Sequence, residues 1–412
     1  MKDSRLIAFE TLYDITMNGA YSNIALDNAL KSCNASDKAF VSNLVLGVIE
    51  RRITLDYLIK PYLSGKTKPK VMLILCLGAY QLYFMDKVPS SAAINSSVEL
   101  AANTGVSYYK GLINAVLHKI DNNRIDIDSL DDLSVKYSCP QNLINMWKKM
   151  YGDEACEAIL KSINSKPPVF AVPNSLYVDS QELSYELLNS GIQCEAVEEL
   201  VRIDSPFELS KLKAFNDGLF HIQDKSSFDC AKALEAKKGE TVIDICAAPG
   251  GKTFTIAEDM EGEGSVYAFD LYEHRIKLIE NSAKRLGLTN VNVGINDAEI
   301  FNKDMPKADR ILCDVPCSGF GIIRRKPEIK YKELDSIKGL PEIQLRILET
   351  SALYLNDNSR IIYSTCTLNK RENEKVVEAF LDKHSEFKLI KQKTSFPDES
   401  GGDGFYYAVL EN

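Results

Sequence analysis

The chain has 412 residues, 45% of them apolar and 26% charged. That composition fits a globular protein long enough for two or three packed domains, and it excludes disordered, collagen-like and coiled-coil readings. A formal net charge of −9 excludes a surface coated in positive charge for nucleic acid, while leaving room for a local basic groove.

The N-terminal run MKDSRLIAFE has no long apolar core behind its basic residues, so a cytoplasmic protein with reduced cysteines is expected. Residues 1–130 read as helices only, because apolar residues recur three and four apart. Val71 to Phe84 is the most apolar stretch, too short for the roughly 20 residues of a membrane span, and it predicts a buried helix. After Pro89, the residues Ile94, Val98 and Ala101 share a face, with Ser90 or Ser91 placed to cap. The expectation is an all-α bundle of five to seven helices. The acid-rich run DNNRIDIDSLDD then predicts a domain boundary at 121–132. Residues 134–235 read as a helical linker and a small α+β module, with a strand at VFAVP and a helix around Glu182 to Leu188.

From Gly239 strands and helices alternate: ETVIDI, a helix from Lys252, SVYAFD, a helix over Glu273–Leu286, VNVGI, RILCD, a helix over Pro341–Leu355, RIIYST, a helix over Glu372–Lys383, and a closing hairpin. This predicts an α/β domain over 236–412 with a mainly parallel, Rossmann-like sheet covered on both faces, whose ligands lie at the carboxyl ends of the strands. Three motifs sit at such ends. Asp244-Ile-Cys-Ala-Ala-Pro-Gly-Gly-Lys-Thr253 follows a strand and opens a helix, so its glycines and helix N–H groups suit a ligand approached by backbone. It is not a phosphate-binding P-loop, because Cys246 stands where that loop needs glycine. Asp270 ends the next strand, where a carboxylate accepts from ribose hydroxyls. Asp314-Val-Pro-Cys317-Ser-Gly-Phe-Gly321 ends RILCD, and Ser364-Thr365-Cys366-Thr367 ends RIIYST ahead of a helix expected to favour a thiolate. The ten cysteines include no CxxC pair and lie away from the four histidines, so no metal is expected.

IDICAAPGGKT, DVPCSGFGIIRRKP, YSTCTLNKRENE, HIQDKSSFDCAKAL and GDGFYYAVL together resemble the Nol1/Nop2/Sun family of RNA cytosine-5 methyltransferases, and SSAAINSSVELA and KGLINAVLHKI resemble the NusB-like RNA-binding domain fused to a bacterial subgroup acting on 16S ribosomal RNA. The resemblance covers essentially the whole chain. It implies that Cys246, Ala247, Ala248, Pro249, Gly250, Gly251 and Lys252 hold the methionine part of S-adenosylmethionine, Asp270 its ribose, and that Asp297 lies near its adenine, with Asp314 at the reaction centre. It also implies that Cys366 is the nucleophile at cytosine C6, since C5 takes a methyl group only once a thiolate has added there. Cys317 is implied in product release. The Pro316-Cys317 pair invites the opposite assignment, because cytosine-5 methyltransferases acting on DNA keep their nucleophile in a Pro-Cys motif. Arg324, Arg325 and Lys326 are placed to hold phosphates flanking a base that has left its stack. A second basic run, Lys66, Lys68 and Lys70, has a solvated loop as its plain alternative. The expected partner is RNA, with no membrane and no metal, for a monomeric protein. The alternatives are the same chemistry on transfer RNA, or an RNA-binding antitermination-type factor whose C-terminal half is a relic.

Overall fold

A computed structural model describes residues 3–20, 22–205, 207–398 and 401–412. Two compact units divide the chain: Met1–Lys149 with Ile323–Lys332, and Met150–Ile322 with Glu333–Asn412.

The first unit is helical. Helices Ser4–Met17, Ser22–Lys31, Lys38–Glu50, Arg52–Ile59, Pro69–Phe84, Ser90–Asn103 and Lys110–Asn122 form one apolar core. The Pro69–Phe84 helix is buried continuously from Leu73 to Leu82, which is why its sequence is apolar on every face. Neither Ser90 nor Ser91 caps the next helix; Pro89 stands at its N-cap, and the Ser90 hydroxyl donates to Asp121 at 3.0 Å instead. The amines of Lys68 and Lys70 lie over the rings of Tyr109 and Tyr13.

This compact unit runs on past residues 121–132 to Lys149. Two aspartates of the 121–132 run are caps: Asp126 accepts from Asp128 N and Asp132 from Ser134 N and Val135 N. The short Leu133–Tyr137 helix then packs back, with Thr54 Oγ1 donating to Val135 O at 2.5 Å and the Ser138 hydroxyl accepting from Ile53 N at 2.9 Å. The unit also takes in Ile323–Lys332, far along the chain. Tyr331 donates to Ile49 O at 2.9 Å, the Lys330 amine to Glu50 O at 2.6 Å, and the Ser22 hydroxyl to Glu328 at 2.5 Å. Lys330 is buried, and burial lowers its amine to about 8. A fragment beginning at residue 150 would lack every one of these partners. Limited proteolysis of that fragment is expected to cut within 323–332, where the full chain is protected; equal protection in both would show that the segment is held by other contacts.

The second unit holds two sheets. The smaller is antiparallel, in the order β2-β3-β1-β4, from β1 (Val169–Pro173), β2 (Cys194–Val197), β3 (Leu200–Ile203) and β4 (Phe220–Ile222), with the Ser180–Asn189 helix opened by an Asp179/Glu182 capping box. The larger contains β5 (Thr241–Asp244), β6 (Ser265–Asp270), β7 (Val291–Ile295), β8 (Ala308–Asp314), β9 (Leu355–Thr365), β10 (Lys388–Ser395) and β11 (Phe405–Glu411), in the order β10-β11-β9-β8-β5-β6-β7. Strands β5 to β9 pair in parallel, and the closing β10–β11 hairpin adds antiparallel strands beside β9. Apolar clusters cover both faces, so the parallel strands are buried as such sheets require. The order reverses beside β5, between β6 and β8, which opens the crevice at the carboxyl ends of β5, β8 and β9.

Candidate active site

The loop after β5 needs Gly250 at φ +108°, where a Cβ would also meet the Phe254 ring at 2.4 Å. The Gly251–Asp259 helix follows at once, so its first N–H groups face the loop. Beside it lies a cavity of about 210 Å³ lined by Cys246, Ala247, Ala248, Pro249, Gly251, Lys252 and Asp314, together with Asp244, Gln223 and Ser227. Asp244 Oδ2 accepts from Thr253 Oγ1 at 2.7 Å, and the Cys246 backbone also bonds this buried carboxylate. Burial pushes this carboxyl up to about 7, against the lowering effect of Thr253.

Lys252 donates to Asp314 Oδ2 at 2.7 Å and lies 5.0 Å from the centre of the Phe405 ring. Burial alone would lower the Lys252 amine, but the Asp314 carboxylate overrides it and holds the amine above its ordinary value. The Ser364 hydroxyl, from β9, donates to Asp314 Oδ1 at 3.0 Å. Asp314 therefore has both oxygens oriented, one from the Gly251–Asp259 helix and one from β9.

The two thiols come together. Cys317 follows β8, Cys366 follows β9, and their sulfurs are 3.4 Å apart. Both are half-buried. The hydrogen bond with Cys366 pushes the Cys317 thiol well up, helped by burial and by the charges of Glu372 and Asp314. The Cys246 thiol is pushed well up too, by burial first and then by Cys313 and the carboxylates around it, which suits a lining group and not a nucleophile.

Other expected site residues stand beside this cavity's lining. Gly250, Asp270 and Asp297 do not line the cavity. Asp270 pairs with Arg275, whose guanidinium also donates to Ala248 O at 2.8 Å, so the β6 end reaches the glycine loop through that arginine. Asp297 Oδ1 accepts from Glu299 N, and its neighbour Asn296 donates its backbone N–H to Asp270 O. No helix terminus stands at Cys366: the next helix is Glu374–Lys383, because residues 369–373 are spent on the loop. There Asn373 accepts from Thr365 Oγ1 at 2.6 Å and donates to Thr367 O at 2.9 Å. Arg324 is buried, so Arg325 and Lys326 are the members of that run that offer surface to a phosphate.

Sequence reasoning gave no role to Arg275, Ser364 or Glu372 and missed the Gly321–Gly404 crossing. Gly321 donates to Cys366 O at 3.0 Å and accepts from Gly404 N at 2.9 Å, and a Cβ on Gly321 would fall 1.9 Å from Gly404 O. SGFG and GDGF, quoted above only as likeness, are this close backbone approach. A glycine in each of two strand-end loops was the available signal.

Comparison with known proteins agrees with this architecture. The family model described as 16S rRNA methyltransferase RsmB/F matches residues 231–411, and that of the NusB family matches residues 2–122. A probable ribosomal RNA small subunit methyltransferase B of Bacillus subtilis (strain 168) is 38% identical over 400 residues, covering 93% of this chain and 89% of that protein. The ribosomal RNA small subunit methyltransferase B of Photorhabdus laumondii is 31% identical over 422 residues, covering 98% of each. Among solved structures, that of PH0851 superposes with a TM-score of 0.83 at 27% identity, over 100% of this chain and 99% of its own. A methyltransferase homologue from Pyrococcus horikoshii gives 0.61 at 27% identity, over 68% of this chain and 98% of its own.

Proposed function

Since the chain belongs to the 16S rRNA methyltransferase RsmB/F family, we propose that it transfers a methyl group from S-adenosylmethionine to C5 of a cytosine in 16S ribosomal RNA, through a covalent cysteine adduct at C6. The observation that carries this reading is the pair of thiols 3.4 Å apart at the ends of adjacent strands, beside the Lys252–Asp314 pair that borders the cavity.

The cavity fits the cofactor: it is bounded by the glycine loop, and the Asp244 and Asp314 carboxyls that line it suit a cationic ligand. Bound there, S-adenosylmethionine supplies an electrophilic methyl group on a sulfonium. The chain's own residues do the rest. The Cys366 thiolate adds to C6, forming the Sγ–C6 bond and moving the ring's electron pair toward C5. As negative charge builds at N3, a proton carried on the Asp314 carboxyl, which Lys252 and Ser364 orient, is donated there. After methylation the C5 proton passes to water, its electron pair re-forms the C5–C6 double bond, and the Sγ–C6 bond breaks with its electron pair leaving on Cys366 Sγ. Cys317, held as a neutral thiol against Cys366, serves that release.

RNA tritiated at cytosine C5 tests this, because the reaction must expel that hydrogen. Release of tritium to water from a 16S rRNA transcript, dependent on S-adenosylmethionine, is expected. Methylation of the RNA without tritium release would place the methyl group elsewhere. Transfer RNA in a parallel arm separates the alternative substrate.

Cofactor binding yields a further prediction. Asp270→Ala, which removes the proposed ribose contact, is expected to weaken calorimetric affinity for S-adenosylmethionine by about 1.5–3 kcal/mol. The same titration should depend on pH. Asp244 titrates at about 7 because burial disfavours its charge, and a cationic ligand favours the ionised form. Binding near neutrality should therefore release protons, with affinity rising as pH rises through that value. Asp244→Asn should abolish the dependence; a dependence that survived would assign it to another group.

A further inference from the structure

We propose that Glu372 is a positioning residue for both thiols, its carboxylate tying the loop after β8 to the loop after β9 from inside the domain. The inference rests on the roles proposed above for Cys317 and Cys366.

Glu372 is fully buried, and its two oxygens accept four hydrogen bonds. Oε1 takes the Ser318 hydroxyl at 2.5 Å and Asn369 Nδ2 at 2.7 Å. Oε2 takes Ser318 N at 2.8 Å and Gln344 Nε2 at 3.0 Å. Gln344 also donates to Pro316 O at 3.0 Å, which ties the residue before Cys317 to the same clamp. Ser318 directly follows Cys317. Its hydroxyl also lies 2.6 Å from Thr367 Oγ1, and Thr367 directly follows Cys366. Ser318, one thiol's neighbour, is thus bonded both to Glu372 and to Thr367, the other thiol's neighbour.

All the backbone and amide partners of this carboxylate are obligate donors, so it serves as an acceptor on both oxygens. An amide in its place would turn an NH₂ group onto at least one N–H, and this makes Glu372→Gln a test of charge and acceptance at nearly constant volume. The charge has a second consequence. Cys317 faces Cys366, Glu372, Tyr363, and Asp314 with its partner Lys252. After the Cys366 hydrogen bond and burial, the negative Glu372 is one of the groups opposing a thiolate at Cys317. Neutralising it should let that thiol ionise at lower pH.

The test uses the full chain carrying Glu372→Gln. Without RNA, alkylation of Cys317 by iodoacetamide is followed by peptide mass spectrometry from about pH 6 to about pH 10. The midpoint is expected to move to lower pH than in the wild type. In turnover, kcat is expected to fall by about tenfold or more, while KM for RNA and calorimetric affinity for S-adenosylmethionine stay within about twofold. An unmoved alkylation midpoint, an intact kcat, or a loss of cofactor affinity in step with kcat would each overturn the proposal. Should the variant not fold, Gln344→Ala removes one donor from outside both thiol loops and is expected to lower kcat by about threefold; full activity there would overturn the proposal too. A wild-type protein that methylates no cytosine would overturn the functional reading instead, and the alkylation midpoint would still judge this one.

Discussion

Cys317→Ala, incubated with unmodified 16S rRNA and S-adenosylmethionine, is expected to accumulate a protein–RNA adduct that survives denaturing electrophoresis, whereas Cys366→Ala forms neither adduct nor methylated RNA. The asymmetry comes from the order of bond changes. A step that forms the Sγ–C6 bond precedes the step that breaks it, so losing the first thiol blocks entry and losing the second blocks exit. Loss of the nucleophile should reduce methyl transfer by on the order of 10⁴-fold or more. The 3.4 Å contact puts both sulfurs within reach of one base, so proximity alone does not choose between them. Adduct from Cys366→Ala and none from Cys317→Ala would reverse the assignment and put the nucleophile in the Pro316-Cys317 motif.

Gly321→Ala should be nearly as damaging without touching a reactive atom. A Cβ there would lie 1.9 Å from Gly404 O and 2.8 Å from Cys366 O, and neither is a flexible side-chain end that could swing away. The loop after β8 must then move off the loop after β9, which separates the thiols. Overpacking of this kind costs about 1–3 kcal/mol of stability. A displacement of about 1 Å at a reacting pair costs about 10²-fold in rate. The expected result is a lowered urea midpoint, methyl transfer down by about 10²-fold, and retained binding of S-adenosylmethionine, since the glycine loop after β5 is untouched. A variant with wild-type rate would show that the crossing of Gly321 and Gly404 does not set the thiol geometry.

The glycine loop, the paired thiols and the alternation that puts them at adjacent strand ends were legible because each is contiguous in sequence or follows from one period. β8 and β9 do prove to be neighbours. Less legible was whatever depends on partners far apart in the chain. Glu372 reads as the first turn of a charged helix, and nothing local announces that Ser318 and Gln344 donate to it. The helix begins two residues later, at Glu374, because Tyr363 takes the Glu372 carbonyl and Asn373 spends its side chain on the Cys366 loop. The acid-rich run at 121–132 reads as a domain boundary by composition, and its Asp126 and Asp132 prove to be helix caps. Arg324, next to an exposed-looking basic pair, is buried, because its segment packs within the helical unit and carries Lys330 and Tyr331 into it.

The central claim is that this chain places a methyl group on C5 of a cytosine in 16S ribosomal RNA, and bisulfite sequencing of total RNA from a strain lacking the gene tests it most directly. One cytosine of 16S rRNA, protected in the parent strain, should become deaminated in the mutant and regain protection when the wild-type gene, but not Cys366→Ala, is restored. No change at any 16S cytosine, or lost protection confined to transfer RNA, would contradict the account.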